Sequence, residues 1–347
     1  MAISDPHVCA EKRGVLGLLT LRRPAALNAL NLGMVQALAA ALDGWATDDA
    51  VKVVAIRGEG PRAFCAGGDI RAWVALGTDA ALGFLRAEYR LNHRIATYPK
   101  PVVALMHGIT MGGGAGLSVH ARHRLADASL VFAMPETAIG FVPDVGGTYF
   151  LSRCPDEFGM YLALTATRIG QGDAIAAGLV DRAVAMTDFE VLLEKLARGE
   201  KTGHAIDAIA ARPGTAVLAP ERARLATFFA APSVEGVLER LARDGGDFAG
   251  RTAAAIRANA PTSLKLTFHM LRRGASLTLA ECLRQEYHAA TNLFLRPDLK
   301  EGVRAAIIDK DRAPNWQPSG LAAVSDAEIA TLMAPLTVEV PHALSFE

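Results

Sequence analysis

Twice in this chain an apolar run passes through consecutive glycines into a helical pattern. Val51 to Arg57 leads through Gly58-Glu59-Gly60-Pro61 and Phe64-Cys65-Ala66 to Gly67-Gly68, and a helical stretch from Ile70 to Gly77 follows. Val102 to Met106 leads to Gly112-Gly113-Gly114, and a helix from Gly116 to Arg122 follows. Runs apolar on both sides need cover on both faces, and strands alternating with helices over short links predict an α/β layered fold. The same reading gives a strand at Gly14–Leu21, a helix through Met34 to Leu42, a longer helix over 79–97 stopped by Pro99 and Pro101, and a short strand Leu130–Ala133. Beyond about residue 185 helical patterns dominate: Phe189–Arg198, Pro220–Ala230, Val234–Arg243, Arg251–Asn259, Ser263–Arg273 and Leu279–Phe294. The expected organisation is a core over 10–200 that carries the site and a helical C-terminal region over 201–347 that packs on or covers it, with Lys201 to Pro220 as a loop or insertion.

Composition removes several function classes. Lys plus Arg equals Asp plus Glu at 36 each, so no global field favours nucleic acid or an anionic membrane. Cys9, Cys65, Cys154 and Cys282 are widely spaced with no CxxC, which argues against a disulfide framework and a zinc site and fits a reducing compartment. No apolar run reaches the roughly 18–20 residues of a membrane-spanning helix. Met1 to Gly14 carries Asp5 and Glu11 and lacks an apolar centre, unlike a secretory signal or transit peptide. A cytoplasmic enzyme is the expectation.

The chemistry concentrates in Met134-Pro135-Glu136-Thr137-Ala138-Ile139-Gly140-Phe141-Val142-Pro143-Asp144-Val145-Gly146-Gly147. Glu136 and Asp144 each follow a proline, which fixes the backbone direction, and each sits among apolar residues, where lost hydration tends to raise a carboxyl pKa. Either acid alone would read as a helix cap or surface group; the pair reads as acid–base chemistry. The Gly67-Gly68 and Gly112-Gly114 turns precede helices, where backbone N–H groups are unsatisfied and lie at the positive end of the macrodipole. Aimed at one point they would form an oxyanion hole; otherwise the glycines serve only close strand-to-helix packing. Glu88 lies in Arg86-Ala87-Glu88-Tyr89-Arg90, with Asn92 and Phe84 four residues either side, so the ordinary helical ion pair is missing. It reads as a solvated helix-face residue or as part of a site. Asp69 reads as a capping acid that supports its turn. A dinucleotide fingerprint fails at Leu117, no Gly-Lys-Ser/Thr follows the glycines, and the GxSxG and HExxH patterns are absent around Ser118, His120 and His123.

Together Arg23-Pro24, Leu27-Asn28-Ala29-Leu30, Ala63–Ile70, the Gly112–Gly116 loop and Pro135-Glu136 resemble the crotonase (enoyl-CoA hydratase/isomerase) superfamily. The runs His107–Gly114, Phe132–Gly140, Pro143–Gly147, Ala260–Lys265, Glu301–Ala305 and Ile308–Asp311 are most similar to the branch that hydrolyses 3-hydroxyisobutyryl-CoA. The resemblance covers about residues 10–317 and is weakest around 185–230. It implies a spiral of ββα repeats with a helical C-terminal region and an acyl-CoA substrate, with no metal or redox cofactor. By motif position it implies backbone N–H groups of Gly68 and Gly113 as oxyanion donors, Glu136 and Asp144 as catalytic acids, and Glu88 as a substrate contact. Hydratases of the superfamily carry a second glutamate at the end of the glycine loop; here that position is Gly116. They usually carry a neutral residue where this chain has Asp144. Hydrolysis of a short branched β-hydroxyacyl-CoA, as in valine breakdown, is therefore expected over enoyl-CoA hydration or isomerisation, and over non-catalytic acyl-CoA binding. Members often assemble as trimers or pairs of trimers, contacts that a long C-terminal region can replace, so a homo-oligomer and a monomer both fit the resemblance.

Overall fold

The computed structural model describes residues 5–335 and 344–346, without the side chains of residues 74–76. The chain forms two compact units interleaved in sequence: Met1–Asp69, Ala87–Phe132 and Ile169–Ala219 in one, Ile70–Arg86, Ala133–Arg168 and Pro220–Glu347 in the other. This division follows compactness, and so it runs across the 10–200 and 201–347 parts read from the sequence.

Nine strands are present among the described residues: β1 (Val8–Arg13), β2 (Leu16–Leu21), β3 (Val53–Gly58), β4 (Ala63–Cys65), β5 (Val102–Met106), β6 (Ile109–Met111), β7 (His123–Ala126), β8 (Val131–Ala133) and β9 (Arg182–Ala183). A six-stranded sheet runs in the order β1-β2-β3-β5-β7-β9, and a three-stranded sheet in the order β4-β6-β8. β1 is antiparallel to β2, and the remaining neighbours in the larger sheet are parallel. The repeat is then visible: β3 and β4 lead to the helix Ile70–Leu76, β5 and β6 to the helix Gly113–Val119, and β7 and β8 to the 3-10 helix Glu136–Ile139. In each repeat the first strand joins the larger sheet and the second joins the smaller one. The expected ββα spiral with a helical C-terminal region is the observed architecture.

Alternation within the parallel strands explains why both faces are covered. Leu16, Leu18, Val53, Ala55, Val103, Leu105 and Leu125 face one way and meet Phe189, Leu192, Leu193 and Leu196, one stripe of the helix Phe189–Ala197. Burying a leucine fully stabilises by about 2 kcal/mol, so this layer contributes strongly to the first unit. Gly17 points the other way, and a Cβ there would lie 2.6 Å from Trp45 Cε3. Trp45 lies in the last turn of the helix Leu32–Ala46, which Asn31 caps by accepting the Met34 N–H.

The N-terminal strand β1 was not expected. Its residues are half-buried or exposed, and it pairs through its backbone at the sheet edge, so it lacks the apolar signature that identifies a central strand. The helix expected at Gly116–Arg122 starts three residues earlier, at Gly113. Its glycines read as loop from propensity alone, and packing overrides that preference. The stretch Lys201 to Pro220 contains a short helix, Thr202–Asp207. In the second unit the helices Val234–Asp244, Asp247–Ala258, Pro261–Gly274 and Leu279–Leu293 lie within a few residues of their expected bounds. Their ends carry the expected signals, including the Ser233 cap, Pro261 in the first turn and a Thr278–Glu281 capping box.

The link from β5 to β6 turns at Gly108, where φ is +52° and a Cβ would lie 2.2 Å from the backbone oxygen of Arg62. Backbone cannot swing aside as a side chain can. Gly108→Ala is expected to destabilise the protein by roughly 2 kcal/mol or more, read as a lower urea midpoint with an unchanged slope; an unchanged midpoint would contradict this packing.

Candidate active site

In the first unit, β4 and β6 lie side by side in parallel, and each ends in a glycine turn. The turn after β4 is held from outside by residues 27–30. Ala66 N–H donates to Leu27 O (3.0 Å), Leu30 N–H to Gly67 O (2.8 Å), and Asp69 N–H to Leu30 O (2.9 Å). This short parallel bridge uses Gly67 O and Asp69 N–H, so the intervening Gly68 N–H is directed away from Leu30. The holding loop is itself fixed by Asn28, fully buried at φ +55°, which donates to Glu59 O and Ala63 O and accepts the Arg23 N–H. Arg23 donates to Ala29 O and pairs with Asp69 at 2.8 Å. Asp69, read as a capping acid, thus ties the turn to the loop that supports it. Arg23 and Asn28 had no role assigned by sequence reasoning; their work is to carry the Gly68 turn.

The second turn is Gly112, at φ +48°, from which the helix Gly113–Val119 starts. Gly113 is the first helical residue, so its N–H has no acceptor within that helix. The two turns are adjacent: a Cβ on Gly67 would lie 3.5 Å from Gly113 N. Gly113 must also be glycine, because a Cβ there would lie 2.2 Å from Glu88 Oε1 and 3.2 Å from Leu30 Cδ1. Glu88 is 1% exposed, in the helix Thr78–Ala96. The solvated-face reading of Glu88 is therefore wrong, and its carboxylate lies against Gly113. Gly116, the position of the hydratases' second glutamate, is buried inside the helix.

In the second unit, Glu136 opens the 3-10 helix directly after Pro135 and is 6% exposed. Its carbonyl accepts N–H groups from Gly140 and Phe141, so the chain reverses at once. Asp144 follows and is 4% exposed, turned inward within this unit. A Cβ on Gly147 would lie 3.1 Å from Pro143 Cβ and 3.3 Å from Met134 Cε, so the segments bearing the two acids pack together. Val145 has φ +54° and Gly146 φ +83°, after which the helix Gly147–Leu151 begins. A β-branched residue in the left-handed region costs on the order of 1–3 kcal/mol and needs surroundings that enforce it.

That enforcement comes from an acid the sequence reading passed over. Glu286, fully buried in the helix Leu279–Leu293, accepts Gly146 N–H on Oε2 (2.7 Å) and Thr148 N–H (2.8 Å) and Thr148 Oγ1–H (2.5 Å) on Oε1. Burial pushes its carboxyl up to about 8; the three hydrogen bonds oppose that rise and the neighbouring Asp144 charge adds to it. The signal that singled out Glu88 was available here too, since the residues four away are Cys282 and Ala290, with no basic partner.

Two thiols near these groups are poor nucleophiles. Burial pushes Cys65 up to about 12 and Cys282 up to about 11, so neither carries thiolate chemistry near neutrality. Among the described residues no group of His, Cys, Asp and Glu could hold a metal ion, and no helix is long and apolar enough to cross a membrane.

The profile described as enoyl-CoA hydratase/isomerase matches residues 16–333. The 3-hydroxyisobutyryl-CoA hydrolase, mitochondrial, of Xenopus tropicalis is 41% identical over 96% of this chain and 90% of its own length. Among solved structures, a carnitinyl-CoA dehydratase from Mycobacterium thermoresistibile is similar with a TM-score of 0.93 and 36% identity, over 99% of both chains. An enoyl-CoA hydratase from Rhodobacter sphaeroides 2.4.1 has a TM-score of 0.89 and 43% identity, over 95% of this chain and 98% of that one.

The Glu286 shift fixes a pH dependence of stability. Its folded value of about 8 lies above the ordinary 4.5, so between about pH 4.5 and 8 the folded state binds more protons than the unfolded one. This group's contribution to stability is then present at low pH and is lost as pH rises through that window. Glu286→Gln keeps a neutral side chain throughout. Its destabilisation relative to the parent should be larger at about pH 5 than at about pH 9 by urea titration; an equal difference at both would contradict the shift.

Proposed function

The chain belongs to the enoyl-CoA hydratase/isomerase family, and we propose that it hydrolyses 3-hydroxyisobutyryl-CoA, a short branched β-hydroxyacyl-CoA thioester, to 3-hydroxyisobutyrate and CoA, a step of valine catabolism. The observation that carries this reading is the exchange of acids: a buried glycine, Gly116, at the end of the glycine loop and a buried carboxylate, Asp144, eight residues after Glu136. A glycine can neither hold nor deprotonate the water that hydration of a double bond requires. The curated relatives near 40% identity, from Xenopus tropicalis to Homo sapiens, carry the hydrolase name.

In the proposed reaction the Gly68 and Gly113 N–H groups polarise the thioester carbonyl and hold the oxyanion that forms on it. Glu136 has two routes open. As nucleophile it adds to the carbonyl carbon and CoA thiolate leaves, giving a mixed anhydride that water opens to the acid and free Glu136. As general base it takes a proton from water, whose oxygen adds to the carbonyl before the thiolate departs. Asp144 orients that water or passes a proton on, and Glu88 accepts a hydrogen bond from the substrate hydroxyl. These steps use neither a metal nor a redox cofactor. The relatives' names place them in mitochondria, whereas composition pointed to the cytoplasm; for this chain we propose an aqueous reducing compartment, in keeping with four cysteines outside any disulfide.

The second reading, addition or removal of water with the thioester intact, is favoured by the two similar solved structures, a dehydratase and a hydratase by name. A thiol-release assay over hydroxyacyl-CoA and enoyl-CoA thioesters separates the two. Free CoA from the hydroxyacyl substrates supports hydrolysis; hydrated product without free thiol supports the rival. Glu136→Gln should abolish release, whereas a protein that only binds acyl-CoA would bind as before and never turn over. Gly113→Ala drives a methyl into Glu88 and displaces the amide, with an expected loss in kcat of about 10²–10³-fold, the typical effect of losing one oxyanion donor. Wild-type turnover by that variant would remove Gly113 from the proposal.

A further inference from the structure

We infer that Glu286 is a positioning residue for the reaction: from a separate helix it clamps the turn that presents Asp144. The inference rests on the reading of Asp144 as an acid that orients water or relays a proton.

The geometry is specific. Three donors from the segment Gly146–Thr148 close on the two oxygens of one carboxylate at 2.5–2.8 Å. That segment begins two residues after Asp144 and follows the left-handed pair Val145 and Gly146. The carboxylate comes from a residue 140 positions away from Gly146, on a separate helix, and is wholly screened from solvent. A turn held by its own sequence could slide; this one is pinned to the helix Leu279–Leu293. An acid displaced by about 1 Å from its working position can lose roughly two orders of magnitude in rate.

The charge around Glu286 follows from its neighbours. Asp144 faces it from the turn and raises its affinity for a proton. Cys282, one turn earlier on the same helix, is held neutral by burial and meets Thr148, with Arg153 lowering and Glu281 raising its affinity for a proton. Arg153 donates to the carbonyls of Tyr149, Gly274 and Leu277. Near neutral pH Glu286 keeps its proton. Once Glu286 ionises, a second carboxylate faces Asp144, and a proton that Asp144 has accepted is held more tightly. A relay through Asp144 should then slow as pH rises through about 8.

The test is the pH profile of kcat and KM for hydrolysis of 3-hydroxyisobutyryl-CoA, followed by thiol release, for the parent, Glu286→Gln, Thr148→Val and Asp144→Asn. In the parent, kcat should fall through an ionisation near pH 8. Glu286→Gln should lower kcat about tenfold, leave KM within about threefold and lose that ionisation. Thr148→Val removes a hydroxyl that favours the ionised acid, so the ionisation should move to higher pH. A Glu286→Gln profile that still shows the parent's ionisation overturns the inference. If that variant does not fold, an unmoved ionisation in Thr148→Val overturns it instead. Asp144→Asn running at the parent rate would sink the reading of Asp144 and this inference with it. An impaired Asp144→Asn beside an unaltered Glu286→Gln profile sinks the inference alone.

Discussion

β4 and β6 lie in parallel and leave their sheet at the same end, so the glycine turns that follow them come to rest together. In a parallel pair this is a matter of register, because a shift of one residue would turn the alternating N–H groups the other way. The loop Arg23–Leu30 guards that register from outside, with Asn28 filling a buried position through hydrogen bonds to three separate backbone groups. Glu88 fills the space that a side chain on Gly113 would need. Electrostatics and sterics act here on the same few atoms: the residue whose amide would hold an oxyanion is also the one with no room for a methyl.

The second unit solves a different problem. Glu136 and Asp144 are both buried, each behind a proline that fixes its own φ, but the turn after Asp144 runs through a strained valine and a glycine, Val145 and Gly146, which local sequence alone does not hold. Order is imposed by a third acid. Glu286 holds the turn through three donors, and burial raises its pKa enough that the cluster does not carry a full charge on each of its acids at neutral pH. Desolvation that keeps one carboxyl of a cluster neutral is a recurrent arrangement among enzymes that use paired acids.

Much of this was legible in the sequence, for reasons that differ by element. β5 was read to the residue, because an uninterrupted apolar run bounded by Pro101 and His107 leaves little freedom. β3 was displaced by two residues at its start, since Val51 is as apolar as Val53 but lies outside the ladder. Glycine misled at Gly113–Gly116, where tertiary packing makes a helix of residues that favour a loop. The acids Glu136 and Asp144 stood out because apolar neighbours and prolines surround them in sequence. Glu88 was half legible, since a missing ion pair left a solvated helix face and a place in the site both open, and its burial against Gly113 appears only in the fold. Glu286 was not read, although its neighbours pose the same question, because its partners Gly146 and Thr148 lie far along the chain and only folding brings them together.

The burial of Cys65 and Cys282 bears on what the protein can withstand. Hydrolysis of a coenzyme A ester liberates a small thiol, and once that thiol is oxidised to its disulfide an exposed cysteine thiolate can attack it, forming a mixed disulfide and releasing one thiolate. At about 12 and 11, the two interior sulfurs hold a thiolate fraction of roughly 10⁻⁴ or less at neutrality, and exchange proceeds through the thiolate. They are thereby insulated from adducts with the released product, and any such modification falls on the half-buried Cys9 and Cys154.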